Sequence, residues 1–172
     1  MVNKDLAEKV QTLLDIEEIK KLHAQYTFFI DENRWDDVLD LFTEDAVGDW
    51  GSGTEGTRGR YEGKKDIVNF LDLAGKEAVM FRHMVIQPVI DIDGDRAHAQ
   101  LYMFGFGTYN LNEGETPAWT HGMYRNDLVR VDGKWKFSYL RYYFTFQTPF
   151  HDGWVKTPSI MPTVFEEADI KK

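Results

Sequence analysis

The chain has 172 residues, 42% of them hydrophobic, and a formal net charge of −9. That length and composition describe one globular domain with a real core, and the negative charge argues against a nucleic-acid partner. There is no cysteine, which excludes disulfides, thiolate metal sites and cysteine nucleophiles.

At the N-terminus, MVNKDLAEKV carries charges where a signal peptide would have its apolar core. No later apolar run approaches the ~20 residues that span a bilayer. The expectation is a soluble, cytoplasmic protein without membrane contact. Residues 3–30 read as one amphipathic helix. Leu6, Val10 and Leu13 begin an apolar stripe that Ile16, Ile19, His23, Tyr26 and Ile30 continue. Asp31-Glu32-Asn33 ends it, and a second helix starts near Trp35 with Asp36 and Asp37 in its first turn, where carboxylates suit the helix dipole. Ala46–Trp50 reads as a strand. The glycine-rich stretch 51–63 lacks a phosphate-cradling pattern and reads as a mobile loop. A third helix covers Lys65–Leu73.

From Val79 onward the pattern alternates, predicting strands at about 80–92, 96–109, 118–131 and 134–147. Asp93-Gly94 and Asp132-Gly133 supply hairpin turns, 110–117 a loop, and 148–172 an irregular tail packed over something. The fold class is α+β: a cone in which the long N-terminal helix packs on a strongly bent, mostly antiparallel sheet, with a ligand pocket at its open end. The whole chain forms a single domain, with its core over about 10–146.

Asp31 directly follows the apolar run Thr27-Phe28-Phe29-Ile30. It is either a helix-end residue facing water or the buried half of a pair, because a lone buried carboxylate costs several kcal/mol (roughly). His83 shares a strand face with Phe81 and Val85, and His121 alternates with Trp119 and Met123. Each is either a satisfied core histidine or a pocket base. His98 and His151 read as exposed, and His23 as either a packing residue or one that supports a site residue from behind. No close metal-ligand spacing occurs, so neither a metal nor an organic cofactor is expected. Leu101, Met103, Gly105 and Gly107 share one face of a strand, and the two glycines would leave room for a large ligand. Tyr102, Phe104 and Phe106 fall on the other face, exposed unless a second subunit covers them. A homodimer or homotrimer is therefore expected.

The motif D-x-x-x-W-D at 31–36, LFTEDA at 41–46, RHMV at 82–85, DGDRAHA at 93–99 and DGKWKF at 132–137 resemble the SnoaL-like branch of the nuclear-transport-factor-2-like superfamily. The pattern is most similar to that of scytalone dehydratase, bile-acid 7α-dehydratase and hexachlorocyclohexane dehydrochlorinase. This resemblance implies a histidine base, His83, oriented by Asp31, with His121 as a second pocket histidine and Tyr26 as a pocket tyrosine. Trp50 stands where scytalone dehydratase has a tyrosine, and Gly105 where the bile-acid enzyme has an aspartate. Arg141, on one strand face with Tyr139, is the nearest counterpart of the dehydrochlorinase arginine. Arg141, Trp50, Met103, Trp119 and Tyr139 are the candidate substrate contacts.

The implied activity is that of a cofactor-independent lyase of the dehydratase type, acting on a hydroxylated aromatic or cyclic hydrophobic small molecule. Carbon–carbon cleavage of lignin-derived diarylpropane diols and isomerisation or cyclisation by the same dyad remain open at this point. So does a non-catalytic role as a ligand-binding protein or a dioxygenase small subunit.

Overall fold

The computed structural model describes residues 4–50, 59–76, 78–111 and 114–156. Helix α1 (Lys4–Asp31) and the short α2 (Trp35–Asp40) lead into strand β1 (Phe42–Asp49). Strand β2 (Arg60–Glu62) and helix α3 (Lys64–Lys76) follow, then four long strands: β3 (Ala78–Asp93), β4 (Arg96–Leu111), β5 (Gly114–Val131) and β6 (Lys134–Pro149). A single turn, α4 (Gly153–Lys156), ends the described chain. The sheet runs β2-β1-β6-β5-β4-β3 and is curled and open-edged. Every pairing is antiparallel except β1 with β6, which is parallel.

Several expectations shift. Strand β2 emerges from the end of the glycine-rich stretch; the rest of that expected loop, 51–58, lies outside the described residues, as do tail residues 157–172. The expected 110–117 loop is mostly strand, because β4 runs to Leu111 and β5 starts at Gly114. One hairpin turn sits at Asp132-Gly133, both at positive φ, while the other moves one residue on, with Gly94 at φ 57° and β3 continuing through Asp93.

The first turns of α1 also depart from the expected core stripe. Leu6, Val10 and Leu13 are exposed, and packing starts only at Asp15. There Arg130 places Nη2 2.6 Å from the Asp15 carboxylate and lies over the Trp135 ring at 4.4 Å. Burial disfavours the Asp15 charge, but Arg130 more than offsets it and holds the carboxyl below its ordinary range. From that anchor onward Ile19, Leu22 and Tyr26 press into the concave face against Phe42, Leu128, Phe137 and Leu140. Each large side chain buried there contributes about 1.5–3 kcal/mol. His23 belongs to this layer. Its Nδ1–H donates to the Ile19 carbonyl at 2.8 Å, and its Nε2 accepts from the Asn126 amide at 2.9 Å.

Candidate active site

The end of α1 fixes the site. Asn33 takes a left-handed conformation, φ 56°; its N–H donates to the Ile30 carbonyl and the Arg34 N–H to the Phe29 carbonyl. This pair of reversed bonds closes the helix as glycine or asparagine commonly does, and it leaves Asp31 as the last helical residue. A carboxylate at that position faces the negative end of the helix dipole and needs donors. Strand β3 provides two from one residue: the His83 backbone N–H donates to Asp31 Oδ2 at 2.9 Å, and His83 Nδ1 lies 2.6 Å from Oδ1. Both side chains are largely buried, 15% exposed for His83 and 9% for Asp31. An ionised carboxylate only accepts, so Nδ1 carries the proton and Nε2 keeps its lone pair. Phe81 contacts the imidazole edge-on, with ring centroids 4.2 Å apart.

His83 and Asp31 line a cavity of about 370 Å³ enclosed by α1, α3 and the concave sheet face. Tyr26, Trp50 and Met103 also line it. The Tyr26 ring stands edge-on to Tyr124 at 6.1 Å, and both are fully buried. Among the described residues Tyr26 OH makes no hydrogen bond of good geometry, and the Tyr124 hydroxyl is its polar neighbour. Burial first, and then Tyr124, pushes the Tyr26 phenol upward; burial first, and then the Asp31 charge, does the same to Tyr124. Both therefore stay neutral and can donate to a ligand oxygen. Among the described residues, no three His, Asp or Glu side chains gather as metal ligands.

A SnoaL-like domain model matches residues 11–141, most of the chain. The chain belongs to the SnoaL-like family. No curated protein matches it in sequence, but many solved structures share the fold. A protein from Novosphingobium aromaticivorans DSM 12444, provisionally termed a scytalone dehydratase, is 20% identical at TM-score 0.72, covering 83% of this chain and 92% of that one. A hexachlorocyclohexane dehydrochlorinase of type 2 is 21% identical at TM-score 0.73, covering 83% and 93%. A type 3 dehydrochlorinase from Novosphingobium barchaimii LL02 is 21% identical at TM-score 0.72, covering 83% and 94%.

Four expected site residues lie outside this SnoaL-like pocket. His121 is on the convex face of β5, stacked between Tyr102 at 5.7 Å and Phe146 at 5.5 Å. Burial pushes its pKa down, and its Nδ1 has no partner among the described residues. Trp119 is on the same face, stacked on Phe104 and Phe150. Arg141 and Tyr139 are convex-face residues of β6, and both meet Asp49: Arg141 Nε at 3.4 Å and Tyr139 OH at 3.0 Å. Burial and then the Asp49 charge push Tyr139 up to about 12. On β6 a register shift between Phe137 and Tyr139 breaks the alternation, so that Leu140 and Tyr142, not Tyr139 and Arg141, follow Trp135 and Phe137 inward. On β5 the physical reason is parity. The buried residues Ala118, Thr120, Gly122, Tyr124, Asn126 and Leu128 occupy the concave side of β5, so the odd-numbered positions between them must face out.

The two glycines of β4 also act differently from expectation. A Cβ on Gly105 would come within 2.8 Å of Phe81 Cζ, and one on Gly107 within 2.6 Å of the Met80 carbonyl. The space they leave is taken by the Phe81 ring, not by open cavity. Tyr124, Tyr142, Tyr109, Thr120 and Gln147 are pocket residues that the motifs did not single out. The alternation of β5 carries the signal for Thr120 and Tyr124, since Arg125 and Asp127 mark the opposite face as the wet one.

Proposed function

We propose that the protein is a cofactor-independent lyase of the dehydratase type, working on a hydroxylated aromatic or cyclic hydrophobic small molecule. The observation that carries this reading is the Asp31–His83 pair, clamped through both carboxylate oxygens on the wall of an apolar cavity. Two relatives of the same fold whose names denote elimination chemistry, a dehydratase and a dehydrochlorinase, lend it support.

In this mechanism His83 Nε2 takes a proton from a carbon acidified by a neighbouring carbonyl or phenol ring. The C–H electrons form the new double bond as the carbon–oxygen bond breaks. The imidazolium, stabilised by Asp31, returns the proton to the departing hydroxyl, so water leaves and the base is restored. Burial holds Tyr26 and Tyr124 in the neutral form. Their place is as neutral donors to the oxygen on which negative charge develops. Trp50 and Met103 shape the apolar wall. The protein acts in the cytoplasm as a homodimer or homotrimer.

The test is turnover by purified wild type and His83→Ala across a panel of hydroxylated cyclic and aromatic substrates. Wild type should release water from at least one, and His83→Ala should lose about 10²–10⁴-fold of that rate with an unchanged melting profile. Full activity in His83→Ala would sink the acid/base reading.

A further inference from the structure

Cross-strand register puts His83, Gly105, Thr120 and Gln147 in one row across β3, β4, β5 and β6. The middle of that row is apolar. The Phe81 ring lies over Gly105, and Thr120 turns its hydroxyl to the Phe146 carbonyl at 3.4 Å, so its methyl points toward Gly105. The far end is polar again. Gln147 is 6% exposed and lines the cavity, with the Tyr109 hydroxyl as its polar neighbour there. Three strand spacings of ~4.8 Å separate Gln147 from the imidazole, about 14 Å measured along the sheet.

A primary amide has two N–H donors and an oxygen that accepts twice. One contact with Tyr109 leaves much of that capacity, and an amide in an apolar wall is costly when unsatisfied. We propose that Gln147, beside Tyr109 on the cavity wall, forms a second hydrogen-bonding subsite that takes a neutral hydroxyl at the end of the substrate remote from His83. An amide both donates and accepts, as a hydroxyl does, and it offers no charge to balance a carboxylate or an ammonium. The substrate class is therefore an elongated aromatic alcohol or phenol, with its reacting carbon at the dyad, an aromatic body over Phe81 and Thr120, and a hydroxyl on Gln147. This rests on the lyase reading for which end reacts. The subsite itself is tested by binding, without turnover.

The probes are 4-hydroxybiphenyl and biphenyl, alike in shape and differing by one hydroxyl. Their affinities are read by tryptophan fluorescence, since Trp50 lines the cavity, in wild type, Gln147→Leu, Tyr109→Phe and His83→Ala. Wild type should bind the hydroxylated probe about tenfold more tightly. Gln147→Leu should bring that preference within about threefold while keeping biphenyl affinity, and His83→Ala should retain it. Should Gln147→Leu fail to fold by circular dichroism, Tyr109→Phe serves instead and should weaken the preference by about threefold. Equal binding of the two probes by wild type, binding of neither, or a preference lost in His83→Ala but kept in Gln147→Leu overturns the subsite. Loss of turnover chemistry with this binding pattern intact would instead overturn only the lyase reading.

Discussion

The two faces of one sheet carry two histidines in nearly the same local setting. His83 alternates with Phe81 and Val85 on β3, and His121 with Trp119 and Met123 on β5. On the concave face His83 has a carboxylate on Nδ1, a second bond from its own backbone to that carboxylate, and a cavity before Nε2. On the convex face His121 has a ring on either side and, among the described residues, no carboxylate partner. The strands are alike, and the difference comes from the end of α1. What turns an aromatic-flanked histidine into a candidate base is the element packed opposite it, here a helix ended by Asn33 so that Asp31 is its last residue.

The largest effect that sharpens this contrast is Asp31→Asn set beside His121→Asn. An asparagine keeps the shape but can donate to Nδ1, favouring the tautomer that puts the proton on Nε2, and turnover should fall by about 10⁴-fold. His121→Asn should stay within about threefold, since no charge pair is lost. Steady-state kinetics on the same substrate checks both, and comparable losses would erase the distinction between the two faces.

A third histidine extends the comparison to stability. Burial pushes His23 from 6.5 down to about 4. Its folded pKa lies below its unfolded one, so its neutral form contributes fully above about pH 6.5, and that contribution is lost as pH falls toward 4. Urea unfolding at pH 7 and pH 4 should show wild type losing up to about 3 kcal/mol more than His23→Gln. Parallel losses in the two proteins would mean that His23 titrates freely.

The smallest effect on activity is expected on the convex face. Tyr102 and Phe106 are exposed there beside the stacked His121 and Trp119, a patch suited to a second copy. Light scattering should give wild type a multiple of 20.1 kDa and Tyr102→Glu a single 20.1 kDa species. Turnover should change by less than about threefold, because the mutated face does not reach the cavity. A wild-type mass of 20.1 kDa at micromolar concentration would leave the patch without that partner.

The dyad could be read from the chain because each half is anomalous in its own segment: a carboxylate after an apolar helical run, and a histidine between apolar strand neighbours. Parity was equally readable, but which parity faces inward was not. A strand states that Trp119 and His121 share a face without saying which face meets the helix. The neighbours Arg125 and Asp127 hold that answer, against the apolar weight of Trp119 and Met123. Gly105 and Gly107 were legible as small, but what fills the gap is decided by the Phe81 rotamer, a tertiary choice. Strand β2 was hidden because three residues inside a glycine-rich stretch carry no period. The exposed Leu6, Val10 and Leu13 follow a helical rhythm, and rhythm does not state how far along a helix packing extends.

The parallel pairing of β1 with β6 has a kinetic meaning. It brings Phe42 beside Phe137 and Asp49 beside Arg141, positions more than ninety residues apart, whereas each of the other long strands meets its sequence neighbour through a hairpin. Local hairpins close quickly, and a distant closure is slow because chain entropy must be lost before any contact compensates. The β3–β6 meander can therefore assemble on its own, while β1, and with it Trp50 on the cavity wall, docks only after the last strand has been made. During synthesis the nascent chain holds α1 and β1 without their sheet until β6 has emerged, so the cavity is completed only then.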